Sequence, residues 1–419
     1  TKNPEGDVVV ETVYDNSGRV EKVSNEYRVD SSGNPIETIY WSKTRYDEAG
    51  RAVEAYEPAP NGVQGNSMGI TSFAISSVPN NVGVVVTSKD SSNRMGRSIS
   101  NALGQVIRVD EATAMTGNEQ NDLGNLSTPN QPTLYKYDEK GNIIKVQQDQ
   151  QNRYFLYDSY GRLIRVRQPE QEVNLQLNTT ENVDGNTQWT AGFFYNNRGS
   201  ILKTTNANGA NIIQEYDSAG RVTKRCYTVP NTQTTATTCN QLSSQELDIN
   251  TPTVSYFYDG KGLDQVPDYA KGKITKVTSS ASETRYTKFD NMGRLLETEQ
   301  RTPFANETVA QAIPRVSKYK FNISGGLTEQ VYPSGKIVRN FIKSDGSADR
   351  VVSNFKSYIS DISYTASGGL KKLKLGNGRW ETAEYNSRQQ LMQFGLGTTQ
   401  TTQDLWKVNY EYGELQSNG

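Results

Sequence analysis

The sequence contains no histidine. That absence removes Ser–His and Cys–His nucleophile pairs, imidazole general bases and imidazole metal ligands together. Cysteine is nearly missing too: Cys226 and Cys239, in RCYTVPNTQTTATTC, are the only two. Two thiols cannot complete a structural zinc site. They can close a disulfide across a Thr-rich excursion, which suits an oxidising compartment, or stay unpaired. Long hydrophobic runs are also lacking. The best, VGVVV at 82–86, has the length of a strand, well short of the roughly 18 apolar residues that span a bilayer. No membrane span is expected. The opening TKNPEGDVVV is not a signal peptide, so any targeting segment is expected outside this chain. Charge of one sign is absent as well: 45 Lys and Arg face 46 Asp and Glu, for a net charge of −1. Without a basic excess or stripe, nucleic acid is not an expected partner.

What is present points to thin, spread-out β structure. Hydrophobic residues make up 34% of the chain and mean hydropathy is −0.73, lean for a compact core. Yet 24 Tyr stand against 11 Phe and 4 Trp, unlike a disordered chain, which is poor in aromatics. Tyr suits a half-buried pleated surface with its hydroxyl near water. The 419 residues allow two or three ordinary domains or one extended repeat array.

The chain repeats itself. YDSYGRLIRV at 157–166 has near copies in YDEKGNIIKV (137–146), YNNRGSILKT (195–204), YDSAGRVTKR (216–225) and FDNMGRLLET (289–298). With the opening aromatic as marker, units start at Tyr14, Tyr46, Tyr137, Tyr157, Tyr195, Tyr216, Tyr258, Phe289, Phe321, Phe341, Tyr364 and Tyr385. Tyr137 and Tyr157 stand 20 residues apart and Tyr195 and Tyr216 stand 21 apart, while other gaps are near double or near 32. A period of about 20 with insertions marks an array whose neighbours bury each other's faces.

Each unit has a physical grammar. Six aromatics (Tyr14, Tyr46, Tyr137, Tyr157, Tyr216 and Phe289) are followed at once by Asp15, Asp47, Asp138, Asp158, Asp217 and Asp290. Gly18, Gly50, Gly141, Gly161, Gly220 and Gly293 come three residues after those acids. The acid caps a tight turn, Gly supplies positive φ, and a short β-prone run follows, so each unit predicts a hairpin. No 3.6-residue apolar period persists, so almost no helix is expected. One detail resists a flat strand: Leu163 and Val166 are three apart, which requires either two covered faces or a bulge after the turn.

This reiterated Y-D-x-x-G-R-L/V pattern resembles the YD-repeat, or RHS-repeat, family. That family includes bacterial RHS polymorphic toxins, C components of insecticidal toxin complexes, wall-associated proteins and the teneurin adhesion receptors. The resemblance covers nearly the whole chain, best at 135–167, 214–225 and 286–298. It continues through VYPSGKIVRNF (331–341) and the stretch 362–391. It implies an all-β fold of tandem hairpins in one long coiled antiparallel sheet, forming a hollow shell, barrel or tube. In bacterial members such a shell encloses a C-terminal polypeptide; in teneurins it is an extracellular scaffold. No D-P dipeptide of the toxin self-cleavage type occurs, so no catalytic residue is carried over. With the chain ending in GELQSNG, a section of shell is expected.

Residues 1–419 are therefore read as one continuous array, with surface-loop insertions near 57–80, 116–133 and 228–252, and a decayed repeat at 91–111. One acid per turn does not make a D-x-D-x-D-G calcium loop, so the Asp residues are caps and no metal or cofactor is expected. Arg19, Arg51, Arg162, Arg221 and Arg294, after the turn glycines, are expected to pair with acids of adjacent repeats. Trp41, Trp189, Trp380 and Trp406 belong in the core unless exposed in a row for sugars. The reading is a non-enzymatic structural scaffold, secreted or on a cell surface, bacterial in type. Expected partners are further YD repeats of the same or neighbouring chains, an enclosed C-terminal polypeptide, or a cell-surface glycan or protein. The rivals are a self-assembling filament or tube and an adhesion or carbohydrate-binding module.

Overall fold

The computed structural model describes residues 7–79, 82–386 and 389–412. Residues 1–6 of the opening stretch, residue 80 of the 57–80 stretch and the closing GELQSNG lie outside the described residues. The described chain holds 31 strands. Asp7–Val9 and Tyr27–Val29 pair with each other outside the main sheet, with a further bridge from Val29 to Pro35. The other 29 form one antiparallel sheet running from Thr12–Tyr14 to Trp406–Asn409. Among the described residues helix is confined to Glu119–Asp122 and two short 3-10 turns, Leu175–Leu177 and Cys239–Gln241.

The sheet is laid down strictly in chain order, each strand pairing with the one before and the one after. Its curl is barrel-like, but backbone pairing does not close it. Among the described residues no register joins the last strand to the first. The band instead comes round on itself: Arg28 and Glu37 line one cleft together with Thr365, Ala383 and Tyr385.

Bulges supply the bend. In the hairpin of Gln151–Tyr157 and Leu163–Arg167, Leu156 faces Arg165 and Tyr157 faces Leu163, so Ile164 is an extra residue. The same shift follows the turns after Tyr14, Tyr46, Tyr137, Tyr195 and Tyr216. An extra residue on one strand kinks the ladder and increases its twist. It also brings Leu163 and Val166 onto one face, which answers the spacing that a flat strand could not.

The two rims of the band differ. Every aromatic–Asp/Asn–Gly turn, from Asp15–Gly18 to Asn322–Gly325, lies on one rim. The long connections 112–131, 168–190, 228–253 and 302–314 lie on the other and fold back over one face of the sheet. We call this the covered face; the opposite one carries the turn tyrosines. Under the 168–190 connection, Leu177, Val183 and Trp189 bury against Leu156. Under 228–253, Ala236, Cys239 and Leu242 bury against Ile213 and Cys226. There is no single core.

Several expectations are corrected. The stretch 57–80 is mostly sheet, with Ala52–Pro60 and Ser67–Ser76 paired and only residues 61–66 between them. Its prolines mislead because Pro58 falls where the register with the preceding strand shifts, a place that needs no N–H donor. The stretches 116–133 and 228–252 are folded covers with buried Leu123, Cys239 and Leu242, not exposed loops. Further insertions at 168–190, 259–273 and 302–314 come in addition. At Phe341 the marker is one residue off: Ile342 precedes the turn and faces Ala348, while Phe341 pairs with Arg350 on the covered face.

Candidate functional site: the turn latch and the covered face

Each turn uses its acid completely. Asp158 Oδ1 accepts the N–H groups of Tyr160 and Arg162, both at 2.9 Å, and Oδ2 accepts Arg162 Nε at 2.7 Å. Asp15, Asp47, Asp217 and Asp290 repeat this with Arg19, Arg51, Arg221 and Arg294. In the Asp138 turn, Asn142 Nδ2 takes the arginine's place at 2.8 Å. Gly18, Gly50, Gly141, Gly161, Gly220 and Gly293 all have φ between 74° and 87°. At Asn101–Gly104, in the stretch read as a decayed repeat, Asn101 Oδ1 caps Leu103 and Gln105 in the same way.

These bonds set the electrostatics. At Asp15, Asp47 and Asp217 the N–H of the arginine four residues on is the leading influence holding the carboxyl below its ordinary value. At Asp158 and Asp290 burial pushes the carboxyl up, and the hydrogen bonds from Arg162 and Arg294 outweigh it. At Asp138 burial acts first in the same sense, and Asn142 overcomes it. Burial raises the hydroxyls of Tyr137, Tyr157, Tyr195, Tyr216 and Tyr258.

The ladder with acids of the neighbouring repeat expected from the sequence does not form at Arg19, Arg51, Arg162 and Arg294. Each pairs with its own acid and lays its guanidinium over the next repeat's ring: Arg162 over Tyr195 at 4.7 Å, Arg19 over Tyr46 at 4.6 Å and Arg294 over Phe321 at 5.1 Å. The i, i+4 spacing across the turn puts the acid nearer than any other. Arg221 does both, reaching Asp259 of the next turn at 2.7 Å. That pair lowers Asp259 to about 2.

A contact absent from the sequence reading closes the joint. The hydroxyl of a repeat's tyrosine donates to a backbone carbonyl of the repeat before it. Tyr46 reaches Val20, Tyr137 reaches Val106, Tyr216 reaches Ile201 and Tyr385 reaches Leu370, at 2.7 to 3.1 Å. The accepting residue lies past the end of the ladder with the next strand, where its carbonyl would otherwise lack a partner. The excess of Tyr over Phe at these markers is the signal that could have revealed it.

The covered face works through cations. Arg97 and Arg108 are buried around Asp110, at 2.6 Å each. From the 112–131 connection, Glu119 meets Arg97 at 2.8 Å and the Leu126 carbonyl meets Arg108 at 2.8 Å. Asp184 bridges Lys136 and Lys145 at 2.6 and 2.8 Å. The Thr234 carbonyl accepts Lys203 Nζ at 2.6 Å. Burial lowers Lys203, with Arg165 adding to the shift. Cys226 and Cys239 are disulfide-bonded, with Cα atoms 5.8 Å apart, so the 228–253 cover is tied to its strand. Among the described residues no three Asp, Glu or Cys converge as a metal site.

Residues 118–234 match the Teneurin YD-shell family. The chain is built of YD/RHS repeats. No curated protein matches it by sequence. The band superposes on a chain of the Photorhabdus luminescens Tc holotoxin pore carrying a TccC3-D651A mutation, with TM-score 0.60 and 14% identity over 96% of this chain. It superposes likewise on TcdB2-TccC3, with TM-score 0.61 and 14% identity over 96% of this chain, and on TcdB2-TccC3 without its hypervariable C-terminal region, with TM-score 0.60. At such identity the likeness establishes the fold. The YD/RHS band spans 21 to 22% of those solved chains, about a fifth of their length.

The four tryptophans show no stacking row. Trp189 is fully buried, Trp41 lies under Lys22 and Trp380 under Lys372 and Lys374. Only Trp406 is half exposed. No helix among the described residues is long and apolar enough to cross a membrane.

Proposed function

We propose that this band is a section of wall enclosing a polypeptide, acting as a scaffold with no catalytic step of its own. One observation carries the reading. The chain exposes 25003 Å², whereas a compact chain of 46.6 kDa exposes about 16,000 Å². The chain is therefore a thin, spread sheet and not a compact globule. About two dozen strands separate Tyr27–Val29 from the strands that share its cleft. At about 4.8 Å per strand they trace a perimeter of about 115 Å, about 37 Å across before side chains are subtracted. That leaves room for an extended or loosely folded chain. Resemblance to solved toxin-complex chains supports enclosure, and the turn acids, fully spent on capping, leave none poised for acid–base work. The disulfide supports a secreted or surface location. The long connections lie down on the sheet instead of projecting, which favours a wall over an adhesive module.

Negative-stain microscopy of the full chain tests this. Curved or ring-shaped particles with stain in a central space are expected; solid particles of the same mass would overturn it.

A further inference from the structure

The strand registers sort charge in a way that the balanced total conceals. In the first half of the band the cations of the covered face already have peptide partners. Lys136 and Lys145 hold Asp184, Arg97 holds Glu119, and Arg108, Arg165 and Lys203 hold the carbonyls of Leu126, Leu177 and Thr234. These three covers thus share one kind of contact, carboxylates or backbone carbonyls of a chain laid across the strands against Lys and Arg, beside their apolar contacts and the Cys226–Cys239 bridge.

From Arg315–Phe321 to Trp380–Tyr385 the same face continues, and among the described residues it is met at its far end alone, by Gln400 and Gln403 of the 398–405 connection. The connections between these strands hold five residues at most, too few to fold back. Register places Lys318, Lys320, Arg339, Arg350, Lys372 and Lys374 on this face. Against these six stand Glu329 and Glu384, with Asp349 and Asp361 at register shifts, and Glu297 of the preceding strand, which meets Lys318 at 3.4 Å. Glu329 is shared between Lys320 and Arg339, at 2.8 and 2.7 Å. Lys318 and Lys320 keep 57% and 72% of their side-chain surface open, and Arg350 is exposed. A connection touches one member of the row, Lys372, through Gln400 at 2.9 Å.

We propose that this uncovered track is a docking surface for an extended acidic polypeptide, held as the covering segments are held. This rests on the wall reading, with the covered face taken as the inner one, and gives the enclosed chain a chemistry. The track crosses six strand spacings, about 29 Å, which an extended chain spans in about nine residues. Charge complementarity supplies the attraction, and backbone carbonyls supply acceptors that a plain polyanion lacks.

Fluorescence anisotropy on the full chain tests it with a labelled 12-residue poly-glutamate peptide, a 4-residue version and a poly-lysine control. The long acidic peptide is expected to bind, the short one and poly-lysine not, with affinity falling as salt rises. The triple variant Lys318→Glu, Lys320→Glu, Arg350→Glu is expected to weaken binding by at least about tenfold. Arg315→Glu, on the opposite face, is expected to leave it unchanged. Equal loss in both variants, or no binding by the native chain, overturns the proposal. A single-stranded oligonucleotide of matched charge that binds as tightly overturns the assignment to a polypeptide. Should the glutamate variant fail to fold by circular dichroism, the same three positions changed to Gln give the readout. Stain-filled particles without peptide binding would sink this inference and leave the wall standing; solid particles would sink the wall itself.

Discussion

The hydroxyl of Tyr195 donates to the carbonyl of Leu163 at 2.7 Å, across 32 residues of chain. The same ring lies under Arg162, whose own Asp158 holds it in place. One repeat therefore grips the next through a carbonyl, a guanidinium and a ring, with the acid as anchor. Removing the hydroxyl in Tyr195→Phe is expected to cost about 1 kcal/mol, the usual net worth of one hydrogen bond. The reciprocal change, Phe321→Tyr, places a hydroxyl toward Leu295, which occupies the Leu163 position of its own repeat, and is expected to stabilise. Urea denaturation of both variants checks the pair. A neutral Tyr195→Phe would show that the ring alone carries the joint.

Acid should loosen the joints together. The turn carboxyls are held below their ordinary value of 3.8, with Asp259 at about 2. A depressed carboxyl stabilises fully above its unfolded value and loses that contribution as pH falls through its folded value. Thermal midpoints should thus be flat above about pH 4 and fall steeply toward about pH 2. Asp259→Asn should lower the midpoint at neutral pH and make the acid limb shallower. An unchanged acid limb in that variant would separate the Arg221 pair from acid stability.

The disulfide closes a segment of 13 residues. Loop-closure entropy makes such a bridge worth about 3 kcal/mol. The double variant Cys226→Ser, Cys239→Ser should lose about that much, and hydrogen exchange should rise through residues 228–253 before the neighbouring strands. Protection unchanged across the cover would mean that its apolar contacts to Ile213 suffice.

Asp110 is fully buried between Arg97 and Arg108. Asp110→Asn takes the shared carboxylate from two buried cations, leaving Arg97 with Glu119 and Arg108 with the Leu126 carbonyl, a loss of about 3–5 kcal/mol in comparable pairs. The 112–131 cover should detach, read as proteolytic cleavage near Glu119 in the variant alone. Resistance equal to that of the native chain would refute the coupling.

The hairpins were legible because Tyr, Asp and Gly recur at fixed spacing and each has a local cause: ring, cap and positive φ. What the arginines do was not legible, since their targets lie one repeat away and depend on the bend. Neither was the folding of 116–133 and 228–252 onto the sheet. Their apolar residues, Leu123, Ala236 and Leu242, are few and isolated in polar sequence, and only the sheet beneath gives them somewhere to bury. The loop reading of 57–80 failed on composition, where Pro and Ser outweighed the alternation of SMGITSFAIS. The cationic track could have been read from K-x-K pairs such as Lys318 with Lys320 and Lys372 with Lys374, since alternate strand residues share a face. Net charge concealed it.

Because the aromatic–Asp/Asn–Gly turns sit on one rim and the covers 112–131, 168–190, 228–253 and 302–314 spring from the other, with 259–273 the one long connection on the turn rim among the described residues, the band obeys a parity rule. One added strand would send every later strand the opposite way, carrying later turns and covers to the wrong edges. Two added strands leave both edges intact and disturb one joint. Such a wall can grow or shrink by whole hairpins, and lineages descended from it should differ in length by even numbers of strands.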